Sequence, residues 1–390
     1  MTRLERCYSI EDLRKAARKR LPKGVFEYMD RGSEDEVALA NNRAAFERIK
    51  LRSRFMVDLT KRDFGTTLFG KTLKLPLVIA PTGWAGFCWY QGEVALAKAA
   101  ASAGIPFTLG STSIASMDAV AKESGGPLWF QLYMWDETEL CYEMVGRARD
   151  LGYEALVVTI DSALGRSREH NDRNDFVVPF RMTWRNTTDM LRHPRWLAGT
   201  MFRYLAAGGY PRHANHPPQY QAIFGKAAMT MPRTHAAMTW DDVARLRKFW
   251  PRTLIVKSVM TAEEARLAVE HGADGIVVSN HGGRAMDSAP ATIDVLPEIA
   301  DAVGSRTTVM LDSGIRRGSD IAKALALGAK AVLIGRATLY GSAVGGEAGA
   351  TRALTILTTE FEKTMGYIGC RTIAEVGPDI LQRRARERQE

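Results

Sequence analysis

The chain has 390 residues, 46% of them hydrophobic, which is enough for one large or two ordinary domains with a sizeable core. Its four cysteines, Cys7, Cys88, Cys141 and Cys370, show no C-x-x-C pair and no metal-type spacing; they argue against a disulfide framework or a metal centre and fit a reduced, cytoplasmic compartment. The N-terminus is charged from its third residue, unlike a secretory signal, no window nears the roughly 20 apolar residues of a membrane span, and the net charge is +9.

Residues Ser9 to Arg20 read as a helix: Ser9 is placed to cap it, Glu11 and Asp12 lie in the first turn, and basic residues gather at its end, as the helix dipole favours. Pro22 stops it. A second helical piece carries Val25, Phe26 and Tyr28, and a third runs from about Glu34 to Ile49. Because these precede any strand pattern, residues 1–74 are expected to form a lid or flanking layer over the main fold.

From Leu75 onward, short apolar runs recur at Leu77–Ala80, Phe107–Gly110, Leu128–Leu132, Ala155–Ile160, Leu254–Lys257, Gly275–Ser279, Thr308–Asp312 and Ala331–Gly335. Helical stretches separate them, and four end on a capping glycine just before the next strand: Gly104, Gly152, Gly272 and Gly328. Eight strands alternating with helices predict a (β/α)8 barrel over 75–365 within a single domain. A doubly wound sheet is the competing fold, but no G-x-G-x-x-G turn occurs.

One connection breaks the rhythm, since about 90 residues separate the fourth strand from the fifth. Between Phe176 and Trp240 it holds seven arginines and Lys226 against Asp189 alone, so it carries +7 of the net charge, with Trp184, Trp196, Phe202, Tyr204 and Leu205 interleaved. That pattern suits an anionic membrane surface; a solvated active-site loop is the plainer alternative, and nucleic acid is not expected, for want of any binding motif.

In a barrel, chemistry collects at the carboxyl ends of the strands. The first ends in Ala80-Pro81-Thr82-Gly83, a turn able to bring backbone amides against a flat ligand. Ser111 follows the second, Gln131 and Tyr133 end the third, Thr159 and Asp161 the fourth, and Lys257 the fifth. A lysine inside LIVKS is costly to bury unless an anion meets it. The sixth strand turns abruptly into Ser279-Asn280-His281-Gly282-Gly283-Arg284, which sets a base and an anion clamp one short turn apart. The last two loops, LDSGIRRGSD and LIGRA, occupy the usual phosphate position of barrels, with Gly314, Arg316, Gly335 and Arg336 as the cradle and Asp312 available for hydroxyl groups.

The block SNHGGRAMD resembles the SNHG-x-RQLD signature of the FMN-dependent 2-hydroxy-acid oxidases and dehydrogenases, with Ala285 where the family usually has Gln; the resemblance runs from about Ile10 to Ile380. It implies FMN as cofactor, held by Pro81, Thr82, Gly83, Ser111, Gln131, Thr159, Lys257, Ser279, Asp312, Gly314, Arg316, Gly335 and Arg336, with Lys257 near the flavin N1 and O2. It also implies that Tyr28, Tyr133, Arg168 and Arg284 bind the substrate carboxylate, that His281 is the base, and that Asp161 orients it. In family members acting on small acids, bulky residues stand where this chain has Thr112 and Gly165, so an aromatic acid such as mandelate is the expected substrate. Gly83 matches dehydrogenases of the family more than its oxidases, which favours a quinone or respiratory carrier as acceptor and, with the basic insertion, a peripheral position on the inner face of the cell membrane. A homotetramer is the family expectation. Lactate dehydrogenase or oxidase activity is the alternative within the family, and a non-catalytic flavin protein or an isomerase on a phosphate-binding barrel lies outside it; the isomerase gives no reason for two arginines, two tyrosines and a histidine around one anion.

Overall fold

The computed structural model describes residues 4–162, 165, 167–180, 182–225 and 232–382. Among them, β1 (Thr66–Leu68) and β2 (Lys71–Leu73) form a hairpin that the apolar pattern does not announce. The eight expected runs follow as β3 (Leu77–Ile79), β4 (Phe107–Gly110), β5 (Leu128–Leu132), β6 (Ala155–Thr159), β7 (Thr253–Val259), β8 (Gly275–Val278), β9 (Thr308–Leu311) and β10 (Ala331–Ile334). They pair in parallel in that order, and β10 closes on β3, so the chain is a (β/α)8 barrel.

Strand side chains alternate between two cores. Leu77, Ile79, Leu156, Val158, Ile276 and Val278 face outward into the layer shared with the helices. Val78, Trp129, Val157, Ile255, Val277 and Met310 fill the barrel axis together with Leu68 and Leu73 of the hairpin, which plugs the bottom. Gly275 is required there: a Cβ would lie 2.7 Å from the ring of Phe69 at the hairpin tip.

This parity decides where the chemistry points. Two residues beyond the inward Trp129, Val157, Ile255, Val277 and Met310 come Gln131, Thr159, Lys257, Ser279 and Asp312, and a period of two returns each to the axis at its carboxyl end. All five are buried. Just past Lys257 the ladder slips by one residue, and Ser258 takes a left-handed φ of 81°.

The N-terminal segment forms α1 (Ile10–Arg20), α2 (Lys23–Asp30) and α3 (Val37–Arg48). Ser9 and Asp12 cap α1 reciprocally, as the sequence predicts. The third helix starts later than expected, because Glu34 and Glu36 adopt left-handed φ values of 49° and 67°. It has no cap of its own, and Asp287 supplies one from across the molecule by accepting from the amides of Val37 (3.1 Å) and Ala38 (3.0 Å).

The insertion is folded in its described part, with helices at Trp184–Leu191 and Phe202–Ala206 among others. Residues 213–216 are stitched to the loop after β4: Ala214 N donates to Ser113 O, and the Asn215 side chain accepts from Met117 N and donates to Ser113 Oγ and Ala115 O. Arg181 and Lys226, two of the cations counted above, lie outside the described residues.

Candidate active site

A cavity of about 300 Å³ opens at the carboxyl end of the barrel. At its floor Lys257, nearly fully buried, donates from Nζ to Ser279 Oγ (2.8 Å) and pairs with Asp312 Oδ2 (3.1 Å). The lysine's burial is therefore balanced inside the protein, and Asp312, expected to be free for hydroxyl groups, serves first as its counterion. Gln131 Nε2 donates to Thr159 Oγ1 (3.1 Å), which fixes both at the axis.

Pro81, Thr82 and Gly83 line one side, and Gly314, Arg316, Gly335 and Arg336 line the far end. Ser111 and Ser279 lie behind the lining, both buried. Arg336 donates to the carbonyls of Gly282, Met29 and Arg31 and has no carboxylate partner among the described residues. Burial, with like-charge repulsion from Arg316, pushes its guanidinium down to about 10. A cation held at such cost asks for an anion. The buried hydroxyls of Thr82 and Ser111 also have no hydrogen-bond partner among the described residues. Axial polar groups flanked by Arg316 and Arg336 fit the flat, phosphate-bearing cofactor that the sequence resemblance implies.

His281 stands over this floor. Its Nδ1 lies 3.0 and 3.1 Å from the two oxygens of Asp161, and its Nε2 lies 3.2 Å from Tyr133 Oη. A carboxylate at Nδ1 retains the proton there, so Nε2 is the basic nitrogen, turned to the cavity. The residue has φ of 57°, an unusual left-handed geometry that the loop holds in place. Asn280 does much of that holding through paired amide bonds to Asn42 (2.9 Å each), a bond to Pro290 O and one from Gly283 N. Gly283 passes so close to α3 that a Cβ would meet Leu39 N at 2.5 Å.

Arg284 Nη1 donates to Tyr28 O (2.6 Å) and Arg31 O (3.0 Å), and its guanidinium covers the Tyr28 ring at 5.2 Å. The carbonyl end of α2 is thereby drawn over the barrel, and Tyr28 becomes part of the roof. Arg168 also lines the cavity and donates to Arg284 O (3.2 Å). Beside them, burial followed by the charges of Arg31, Arg284 and Arg168 pushes the imidazole of His170 down to about 4. This corner is a concentrated positive site able to grip a carboxylate.

Thr112 lines the cavity, whereas Gly165 is exposed and does not stand among the cavity's described lining residues. The expected role of Gly165 in opening the substrate space has no support from the described cavity lining, which Thr112 alone of the two reaches. In its place the sequence reading missed Trp84 and His213. Trp84 stacks on Tyr28 at 4.7 Å, and His213 bonds Thr112 O through Nδ1 (3.2 Å). His213 also stacks on His216 at 4.5 Å, and burial pushes the two imidazoles down to about 4 and about 3, so both are neutral near pH 7. Trp84 had a local signal, one residue past the Pro81-Thr82-Gly83 turn. His213 had none, since it reaches the cavity from the insertion.

Residues 17–383 match a family described as FMN-dependent dehydrogenase. The chain is 40% identical to (S)-mandelate dehydrogenase of Pseudomonas putida, covering 96% of this chain and 94% of that one. It is 38% identical to a putative L-lactate dehydrogenase of Mycobacterium tuberculosis, covering 96% and 89%. Its fold superposes on the crystal structure of the monotopic membrane protein (S)-mandelate dehydrogenase with a TM-score of 0.91 at 39% identity, over 97% of this chain and 100% of the other.

Proposed function

Because the chain belongs to the FMN-dependent dehydrogenase family, we propose that this FMN-dependent enzyme oxidises (S)-2-hydroxy acids with an aromatic side chain to the 2-oxo acids and passes the electrons to a quinone or respiratory carrier at a membrane. The observation that carries the reading is the convergence of His281, Tyr133, Tyr28, Arg168 and Arg284 on one cavity above buried Lys257. When bound, FMN accepts the two electrons that leave the hydroxyl-bearing carbon. Arg168 and Arg284 grip the carboxylate and the tyrosine hydroxyls orient it. Nε2 of His281 takes a proton from the substrate, and the Asp161 carboxylate steadies the resulting imidazolium. With FMN bound, Lys257 would supply a positive charge to offset the negative charge that develops on the acceptor. Arg316, Arg336 and the backbone at Gly314 and Gly335 form the phosphate end.

The aromatic preference rests on the wall made by Trp84, Thr112 and His213. Burying a phenyl ring there is worth about 1.5–3 kcal/mol, which corresponds to roughly 10- to 150-fold. The purified holoenzyme should bleach its flavin anaerobically with mandelate, and kcat/KM should favour mandelate over lactate by that factor. A chain that keeps its colour with every 2-hydroxy acid is not this enzyme, and a preference for lactate removes the aromatic assignment.

Membrane association is supported by the insertion, where Met182, Trp184, Leu191, Phe202 and Tyr210 are all more than half exposed among arginines. No helix among the described residues is long and apolar enough to cross a membrane. The protein should co-sediment with anionic vesicles at low salt and less at high salt, each basic residue near the surface contributing about 1 kcal/mol. Indifference to anionic vesicles would overturn the membrane reading. The homotetramer is carried over from the family resemblance alone.

A further inference from the structure

A second cavity, of about 590 Å³, lies between the insertion and α2. Its mouth is formed by Met182, Phe202, Leu205 and Tyr210, which are 62, 59, 41 and 62% exposed, so it opens through the same apolar face that the insertion presents to its surroundings. Its inner end is built of aromatic rings, Phe87, Phe176, Phe180 and Phe224. Polar side chains on its rim are engaged elsewhere: Asn174 bonds Glu27 and Lys23, and Asp189 accepts from Lys23 N.

The inner end abuts the substrate cavity. Phe176 lies 5.5 Å from both Tyr28 and Trp84, ring centre to ring centre, and Phe87 lies 5.3 Å from Trp84. Tyr28 and Trp84 are themselves walls of the substrate cavity. One layer of packed rings therefore separates the two chambers, one opening toward the barrel axis and the other toward the apolar face of the insertion. A hydrocarbon chain would need the greasy mouth but not the aromatic inner end, whereas a flat ring on an apolar tail uses both.

We infer that this cavity is the docking site of a lipid-soluble quinone, whose head rests on Phe176, Phe180 and Phe224 and whose tail leaves past Phe202 and Leu205. The inference rests on the dehydrogenase reading above and assigns its electron acceptor a place. The exchange balances: the two electrons and two protons removed from the hydroxy acid end on the two carbonyl oxygens of the quinone. The quinone becomes the quinol and the acid becomes the oxo acid. Substrate and acceptor then hold separate chambers and need not displace each other.

The test uses the holoenzyme in detergent with decylbenzoquinone as probe. Titration calorimetry should show one saturable site, weakened about tenfold or more by Met201→Trp, which fills the cavity, and measurably by Phe202→Ser at the exposed mouth, which leaves the core untouched. In stopped flow, Met201→Trp should slow reoxidation of the reduced flavin by the quinone to a similar degree, while flavin reduction by substrate and reoxidation by ferricyanide stay within about twofold of wild type. Unchanged quinone binding and reoxidation in both variants would overturn the site. Equal affinity for a dodecyl detergent that lacks the ring would make it a lipid site instead. Reducing the flavin with dithionite keeps the quinone test readable if no hydroxy acid serves as substrate, so the two readings fail separately.

Discussion

Replacing His281 with glutamine is expected to leave FMN bound while slowing its reduction by substrate about 10²- to 10⁴-fold, or about 3–5 kcal/mol of barrier. Glutamine can still reach toward Tyr133 and Asp161, so the loop has polar partners for its new side chain, but it has no nitrogen basic enough to take a proton. The floor of Lys257, Ser279 and Asp312 is held by bonds that do not use the His281 side chain and stays in place. Rapid mixing of the variant with substrate under anaerobic conditions, followed at the flavin absorbance, measures the effect. Near-normal reduction would remove His281 from the proton transfer. A milder, parallel effect is expected of Asp161→Asn, because the amide no longer selects the Nδ1–H tautomer or offsets the imidazolium charge.

Arg284→Met should weaken the binding of 2-oxo-acid inhibitors by about 2–5 kcal/mol, roughly 30- to 5000-fold. The same guanidinium also holds Tyr28 O and Arg31 O, so part of any loss could come from displacement of α2 rather than from the missing charge. Inhibitor chemistry separates the two. The neutral amide of the same inhibitor has no carboxylate to lose, and its constant should change little if charge recognition dominates; equal losses for acid and amide would mean that Arg284 acts by holding the roof. An unchanged constant for the acid would place the carboxylate elsewhere. Arg284→Lys should fall between, since it keeps the charge but not the planar fork that grips two oxygens at once.

The amino-acid sequence by itself determined the barrel and most of the side chains that gather at its carboxyl end. Strand runs, helix-capping glycines and alternating apolar residues are local signals, and the parity of a strand is enough to send Gln131, Thr159, Lys257, Ser279 and Asp312 to one axis. His281 and Arg284 stand in a motif short enough to be legible for the same reason. What the tertiary structure alone decided are partnerships between residues far apart in the chain. Asp287 caps α3 from 250 positions away, and Asp312 neutralises Lys257. Arg336 is spent on the carbonyls of α2 and the glycine loop, Gly165 is absent from the described cavity lining, and His213 enters the cavity wall from an insertion whose composition suited a membrane surface or an active-site loop without marking this residue. Periodicity reports which face of an element is buried; it carries no information on which distant side chain will be waiting there, because that depends on the path of the whole chain and on which buried charges must find a partner.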